Sequence, residues 1–114
     1  VEADHRALSV RVGEAKPGWP TVHVEGEVDI STVDQLVTAL DKAESEDRLL
    51  VDLSGVAFMD STGLRALVER HQRFEESGRR LVLMLAPGPV TRLIELTGVD
   101  QKVEVVADVG ELPD

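Results

Sequence analysis

The stretch Phe58-Met59-Asp60-Ser61-Thr62-Gly63-Leu64 carries the residue types most able to do chemistry, two hydroxyls beside a carboxylate at the start of a helical pattern. Asp60 or Ser61 can cap that helix. The unpaired N–H groups of a helix start, with the positive end of its dipole, favour a negative group at the same place. A phosphoryl group on Ser61 is therefore tolerated there, while the plainer role for a serine so placed is that of an N-cap alone. Nucleophilic catalysis would need a base. Ser61 lacks the Gly-x-Ser-x-Gly elbow, and nothing in the spacing of His5, His23 and His71 marks any of them as its partner. His71 falls on the apolar face of a helical pattern, as a core or boundary histidine does, and His23 takes a polar strand position that predicts exposure. Neither an enzyme, a catalytic residue nor a metal site is expected.

The elements that must position this stretch follow from hydrophobic periodicity. Leu8, Val10 and Val12 alternate with polar residues, and Val22, Val24 and Val28 resume the alternation after Glu14-Ala15-Lys16-Pro17-Gly18, which predicts a β-hairpin. Val33, Leu36, Val37, Leu40 and Ala43 then fall on one helical face, with Ser31 and Asp34 as its N-terminal cap. Leu49 to Leu53 reads as a buried strand near the sheet centre, ending about Leu53 and followed by a loop into the helix of Leu64, Leu67, Val68, His71 and Phe74, which Gly78 stops. Leu81 to Ala86 is a further strand. Pro87-Gly88-Pro89 opens a helix over Val90, Leu93, Ile94 and Thr97, closed by Gly98, and Val103, Val105 and Val106 form the last strand. The Pro-Gly-Pro segment supplies a tight turn, and its helix start is a lesser candidate for an anion. The order β, β, α, β, α, β, α, β predicts an α/β fold, a mixed and mostly parallel sheet of about five strands packed against helices, in one domain over residues 1–114.

Composition narrows the function classes. The formal net charge of −10 opposes binding to nucleic acid or an anionic membrane surface, because both need clustered cations. There is no cysteine, hence no disulfide framework or thiolate metal site. No apolar run approaches the length of a membrane span, and no signal-peptide order is seen, so the cytoplasm is the expected compartment. No Walker or Gly-x-Gly-x-x-Gly segment indicates a nucleotide, and no cofactor is expected. The chain begins at Val1 rather than Met, which leaves room for residues removed before it.

Gly26-Glu27-Val28-Asp29 and Met59-Asp60-Ser61-Thr62-Gly63-Leu64 resemble two motifs of the STAS family, named for sulfate transporters and anti-sigma factor antagonists, and Arg92 to Gly98 is similar to that family's late helix. What the resemblance implies is a switch. The unphosphorylated domain would bind an anti-sigma factor, often itself an ATP-dependent serine kinase, and free the sigma factor; a metal-dependent serine phosphatase would reverse the modification. By position Ser61 matches the phosphoacceptor, with Asp29, Asp60, Thr62, Gly63, Leu64 and Arg65 as its neighbours and the partner-binding residues. Asp29 and Asp60 have structural roles open to them as well, each as a cap. Arg65 departs from the pattern, since many members carry a small residue there; it can select an acidic partner, pair with a carboxylate or lie in solvent. The rival reading is a stressosome-type or other STAS scaffold or ligand-sensing module, including nucleotide sensing, with no sigma-factor partner switching.

Overall fold

The alternation at the start of the chain becomes β1 (Leu8–Lys16) in the computed structural model, which describes residues 7–114 and so leaves His5 outside. β1 pairs antiparallel with β2 (Trp19–Val28), from Leu8 opposite Gly26 to Lys16 opposite Trp19. The connection is tighter than the sequence predicts. Glu14, Ala15 and Lys16 stay in the strand across a bulge where the Ala15 amide donates to Thr21 Oγ1 at 3.0 Å, leaving Pro17 and Gly18 as the turn, with Gly18 at φ +85°.

Helix α1 (Val33–Lys42), strand β3 (Arg48–Met59), helix α2 (Ser61–Glu76), strand β4 (Arg80–Met84), helix α3 (Pro89–Thr97) and strand β5 (Glu104–Val106) complete the expected order. The strands lie as β1-β2-β3-β4-β5 in one sheet, antiparallel only at β1, with β3 at the centre. All three helices cover one face, where Val22, Val24, Val51, Leu53 and Leu83 meet Leu36, Leu40, Leu67, Phe74 and Ile94. Each such side chain fully removed from water contributes roughly 1.5–3 kcal/mol before entropy is counted. The opposite face has no α-helix over it. There Trp19, Leu50, Val82 and Val106 are closed off by Leu112 from the C-terminal segment, and Trp19 Nε1 donates to the Pro113 carbonyl at 2.9 Å.

Two expectations change here. β3 does not end near Leu53: Asp52 Oδ1 accepts both the amide and the hydroxyl of Ser54, at 2.9 and 2.6 Å, and register shifts against β2 absorb the polar Ser54-Gly55 break. The strand then continues through buried Val56 to buried Met59. His23 is not exposed either, because on the helix-free face it sits opposite Asp52 with its Nδ1 2.8 Å from the carboxylate. Burial pushes the Asp52 pKa up, but the Ser54 hydroxyl and amide, the His23 hydrogen bond and the His23 charge outweigh it and leave the carboxyl below its ordinary 3.8.

Candidate functional site

β2 and β3 run parallel with Val28 opposite Met59, so Asp29 and Asp60 leave the sheet side by side at its carboxyl edge. The Asp60 amide donates to the Val28 carbonyl at 3.1 Å and fixes the two exits to one another. With β3 reaching Met59, the expected loop reduces to Asp60, an extended residue at φ −102° and ψ −171° that is the N-cap of α2. Its Oδ1 accepts the Thr62 amide at 2.9 Å and the Thr62 hydroxyl at 2.5 Å. The Thr62 hydroxyl is the main cause that holds the Asp60 carboxyl below its ordinary 3.8, helped by the Thr62 and Gly63 amides; partial desolvation and the charge of Asp29 push the other way.

Asp29 organises the neighbouring turn in the same manner. Its Oδ1 accepts the amide and hydroxyl of Ser31 at 2.9 and 2.7 Å, and its carbonyl accepts the amides of Thr32 and Val33. The expected Ser31–Asp34 cap is therefore corrected: Thr32 is the N-cap of α1, makes no side-chain cap bond, and turns its hydroxyl towards the Glu27 carbonyl at 2.8 Å.

Ser61 is the first residue of α2, exposed, and its hydroxyl has no hydrogen-bond partner among the described residues. Thr62 is half-buried with its hydroxyl taken by Asp60. Gly63 and Leu64 are buried, so they shape this surface from beneath and do not line it. A Cβ at Gly63 would stand 2.6 Å from Val28 Cγ1 and 2.9 Å from Met59 Cγ, and only glycine lets α2 start this close to the sheet. Arg65 is exposed one helical turn after Ser61, with no ion pair or hydrogen bond among the described residues.

Two exposed apolar residues adjoin the aspartates along the chain, and the motif assigns neither a role. Ile30, beside Asp29, is 78% exposed, and Phe58, two residues before Asp60, is 44% exposed. The strand period carries a signal for Phe58, since Met59 points into the core and its predecessor must point away. Neither described histidine can serve Ser61 as a base. His71 is ten residues along α2, about 15 Å of helix rise, with Nε2 near the Glu104 amide, and His23 faces Asp52 about 25 Å back along β3. No group of three or more histidines or carboxylates suited to a metal occurs among the described residues.

Pro87-Gly88-Pro89 does open α3 as its sequence predicts, with Gly98 in the left-handed conformation at the other end. The cavity beside it, about 330 Å³, is lined by Ala86, Pro87 and Thr91 together with Glu95, Asp100 and Glu111, carboxylates that oppose an anion.

A sheet with helices on one face thus presents, at its carboxyl edge, a capped Asp-Ser-Thr-Gly helix start with Ser61 exposed. The model of the STAS domain matches residues 12–112, and the chain belongs to the STAS domain family. Two curated relatives are anti-sigma-B factor antagonists. That of Listeria monocytogenes is 28% identical over 107 residues, 92% of this chain and 94% of the relative, and that of Staphylococcus aureus is 30% identical over 86 residues, 74% and 80%. Among solved structures, an anti-sigma factor antagonist from Mycobacterium paratuberculosis superposes with a TM-score of 0.83 at 26% identity, covering 93% of this chain and 91% of that one. No described helix is long and apolar enough to cross a membrane.

Proposed function

We propose that this chain is an anti-sigma factor antagonist that works by binding, with Ser61 as its switch. Unphosphorylated, it holds an anti-sigma factor that is also a serine kinase and so frees the sigma factor. The observation that carries the reading is the contrast at the start of α2: Ser61 is exposed and its hydroxyl has no partner among the described residues, while the Thr62 hydroxyl next to it is held by Asp60. In the kinase step Ser61 Oγ bonds to the γ-phosphorus of ATP, the bond to the β–γ bridging oxygen breaks, ADP leaves, and the hydroxyl proton passes to a base of the kinase. A metal-dependent serine phosphatase restores the hydroxyl with water.

The surface proposed to meet the partner comprises Ser61, Asp60, the exposed edge of Thr62 and Arg65, supported from below by Gly63, Leu64 and Asp29, whose carboxylate is buried and shapes the turn beside it. Ile30 and Phe58 supply its apolar anchors. A phosphoryl group adds about −1.5 to −2 charges at neutral pH, beside two carboxylates and in the middle of that surface. Taking a complex from 99% to 1% formed needs about 5.5 kcal/mol of differential affinity, which the desolvation of a dianion that the partner does not pair supplies without refolding. Sigma factors act on transcription, which supports a cytoplasmic location.

The test is capture from native cell extract with unmodified and Ser61-phosphorylated protein as baits. Retention of a kinase-type anti-sigma factor by the unmodified bait alone is expected. Equal retention by both baits, or by neither, would overturn partner switching in favour of a scaffold or ligand-sensing module.

A further inference from the structure

The charge around Ser61 is one-sided. Residues 24–41 and 49–69, which form the end of β2, most of α1, β3 after Arg48 and the first half of α2, contain one Lys or Arg, and it is Arg65. Ser61 and Arg65 are residues i and i+4 of the same helix, both exposed, so their Cβ atoms lie about 6 Å apart on one face. The order suits an ion pair: the anion precedes the cation, and the anion sits at the positive end of the helix dipole. Arg65 is also uncommitted, having no ion pair or hydrogen bond among the described residues, whereas Arg70, Arg73, Arg79 and Arg80 all pair with carboxylates.

From this spacing we infer that Arg65 is an in-chain clamp for the phosphate on Ser61. The inference rests on Ser61 being the phosphoacceptor. The guanidinium reaches back one turn, donates to the phosphate oxygens and offsets the repulsion from Asp60 and Asp29. It favours the dianion over the monoanion at neutral pH and stabilises the first turn of α2 in the phosphorylated protein. It also withdraws the lone cation of these segments from the partner surface. Phosphorylation therefore changes that surface twice, by the dianion it adds and by the cation it ties down, and an acidic partner is repelled by the first and loses the attraction of the second.

The experiment uses the full chain with phosphoserine installed at position 61 during translation, so that no kinase is needed. The second phosphate pKa is read by ³¹P NMR titration in the natural chain and in Arg65→Ala, a change at an exposed side chain that leaves the core intact. The pKa of the natural chain is expected to lie about half a unit below that of the variant, with the gap shrinking in roughly 1 M salt as screening removes the pair. Identical titration curves would overturn the clamp. Phosphate mapped in cells to a residue other than Ser61 would instead overturn the assignment of the switch and leave the titration difference in place, so the two failures are separable.

Discussion

The Asp60 carboxylate holds both the amide and the hydroxyl of Thr62, at 2.9 and 2.5 Å, and the residue between them, Ser61, is left with its hydroxyl in solvent. Two adjacent hydroxyls are thereby made unequal. A kinase must displace an Asp60 hydrogen bond to use Thr62, whereas Ser61 needs only access. Incubation with the cognate kinase and ATP should therefore label the natural chain and Thr62→Ala to similar extents. In Ser61→Ala labelling should fall at least tenfold, read by intact mass and peptide mapping; equal labelling of that variant would remove Ser61 from the mechanism.

The same cap contributes to stability with a defined pH dependence. The folded Asp60 carboxyl titrates below its ordinary 3.8, so its contribution is complete above that value and is lost as pH falls through the folded pKa. Asp60→Ala removes the cap, and a loss of about 1 kcal/mol is expected at pH 6. The gap between variant and natural chain should narrow at pH 3 in urea melts. A constant gap across that range would show that the carboxylate charge takes no part.

Gly63 is decided by packing. Alanine there gains up to about 1 kcal/mol of helix propensity but drives a methyl group into Val28 and Met59, which costs about 1–3 kcal/mol in overpacking. Gly63→Ala should lower the urea midpoint without changing the slope.

Arg70 is a buried cation on the core side of α2, 2.6 Å from Asp41 Oδ1 and 2.7 Å from Glu44 Oε1, and it ties α2 to the end of α1 and the turn after it. Both carboxylates keep access to water, so breaking the pair does not strand a buried charge on them. Arg70→Ala should cost about 1–3 kcal/mol, less than the loss of a fully buried pair, and Arg70→Met should recover part of it through packing. Equal melting of the natural chain and Arg70→Ala would show the bridge to be idle.

Ile30 and Phe58 are exposed beside the two aspartates, and their replacement should affect recognition and not folding. Ile30→Ser with Phe58→Ser is expected to weaken binding of the anti-sigma factor at least tenfold in titration calorimetry, with thermal stability nearly unchanged. Unaltered binding would move the partner surface elsewhere.

Much of this was legible in the residues themselves. Periods of two and 3.6 are local properties, so Leu8 to Val12, Val33 to Ala43 and Val90 to Thr97 specified strand, helix and helix, and Pro89 and Gly98 marked the ends of α3 through their own backbone preferences. The Asp60-Ser61-Thr62-Gly63 motif located the candidate switch for the same reason, its meaning being carried by adjacent residues. Other features depend on which strands become neighbours. Ser54-Gly55 reads as a break in sequence and is a bulge in the sheet, because β2 supplies partners on the far side of it. His23 reads as exposed and is half-buried because Asp52 of the adjacent strand faces it. Arg70 has no role in the apolar pattern of α2, and it is buried because the packing of α1 on α2 brings Asp41 and Glu44 to it. Sequence by itself determined the elements and their order, since these follow from short-range backbone and side-chain preferences, while Ser61 entered as the candidate switch through the resemblance of its motif to the STAS family. Tertiary structure alone decided that Asp29 and Asp60 stand together and that Gly63 must be glycine, because each depends on the parallel register of β2 and β3, a contact between segments about thirty residues apart.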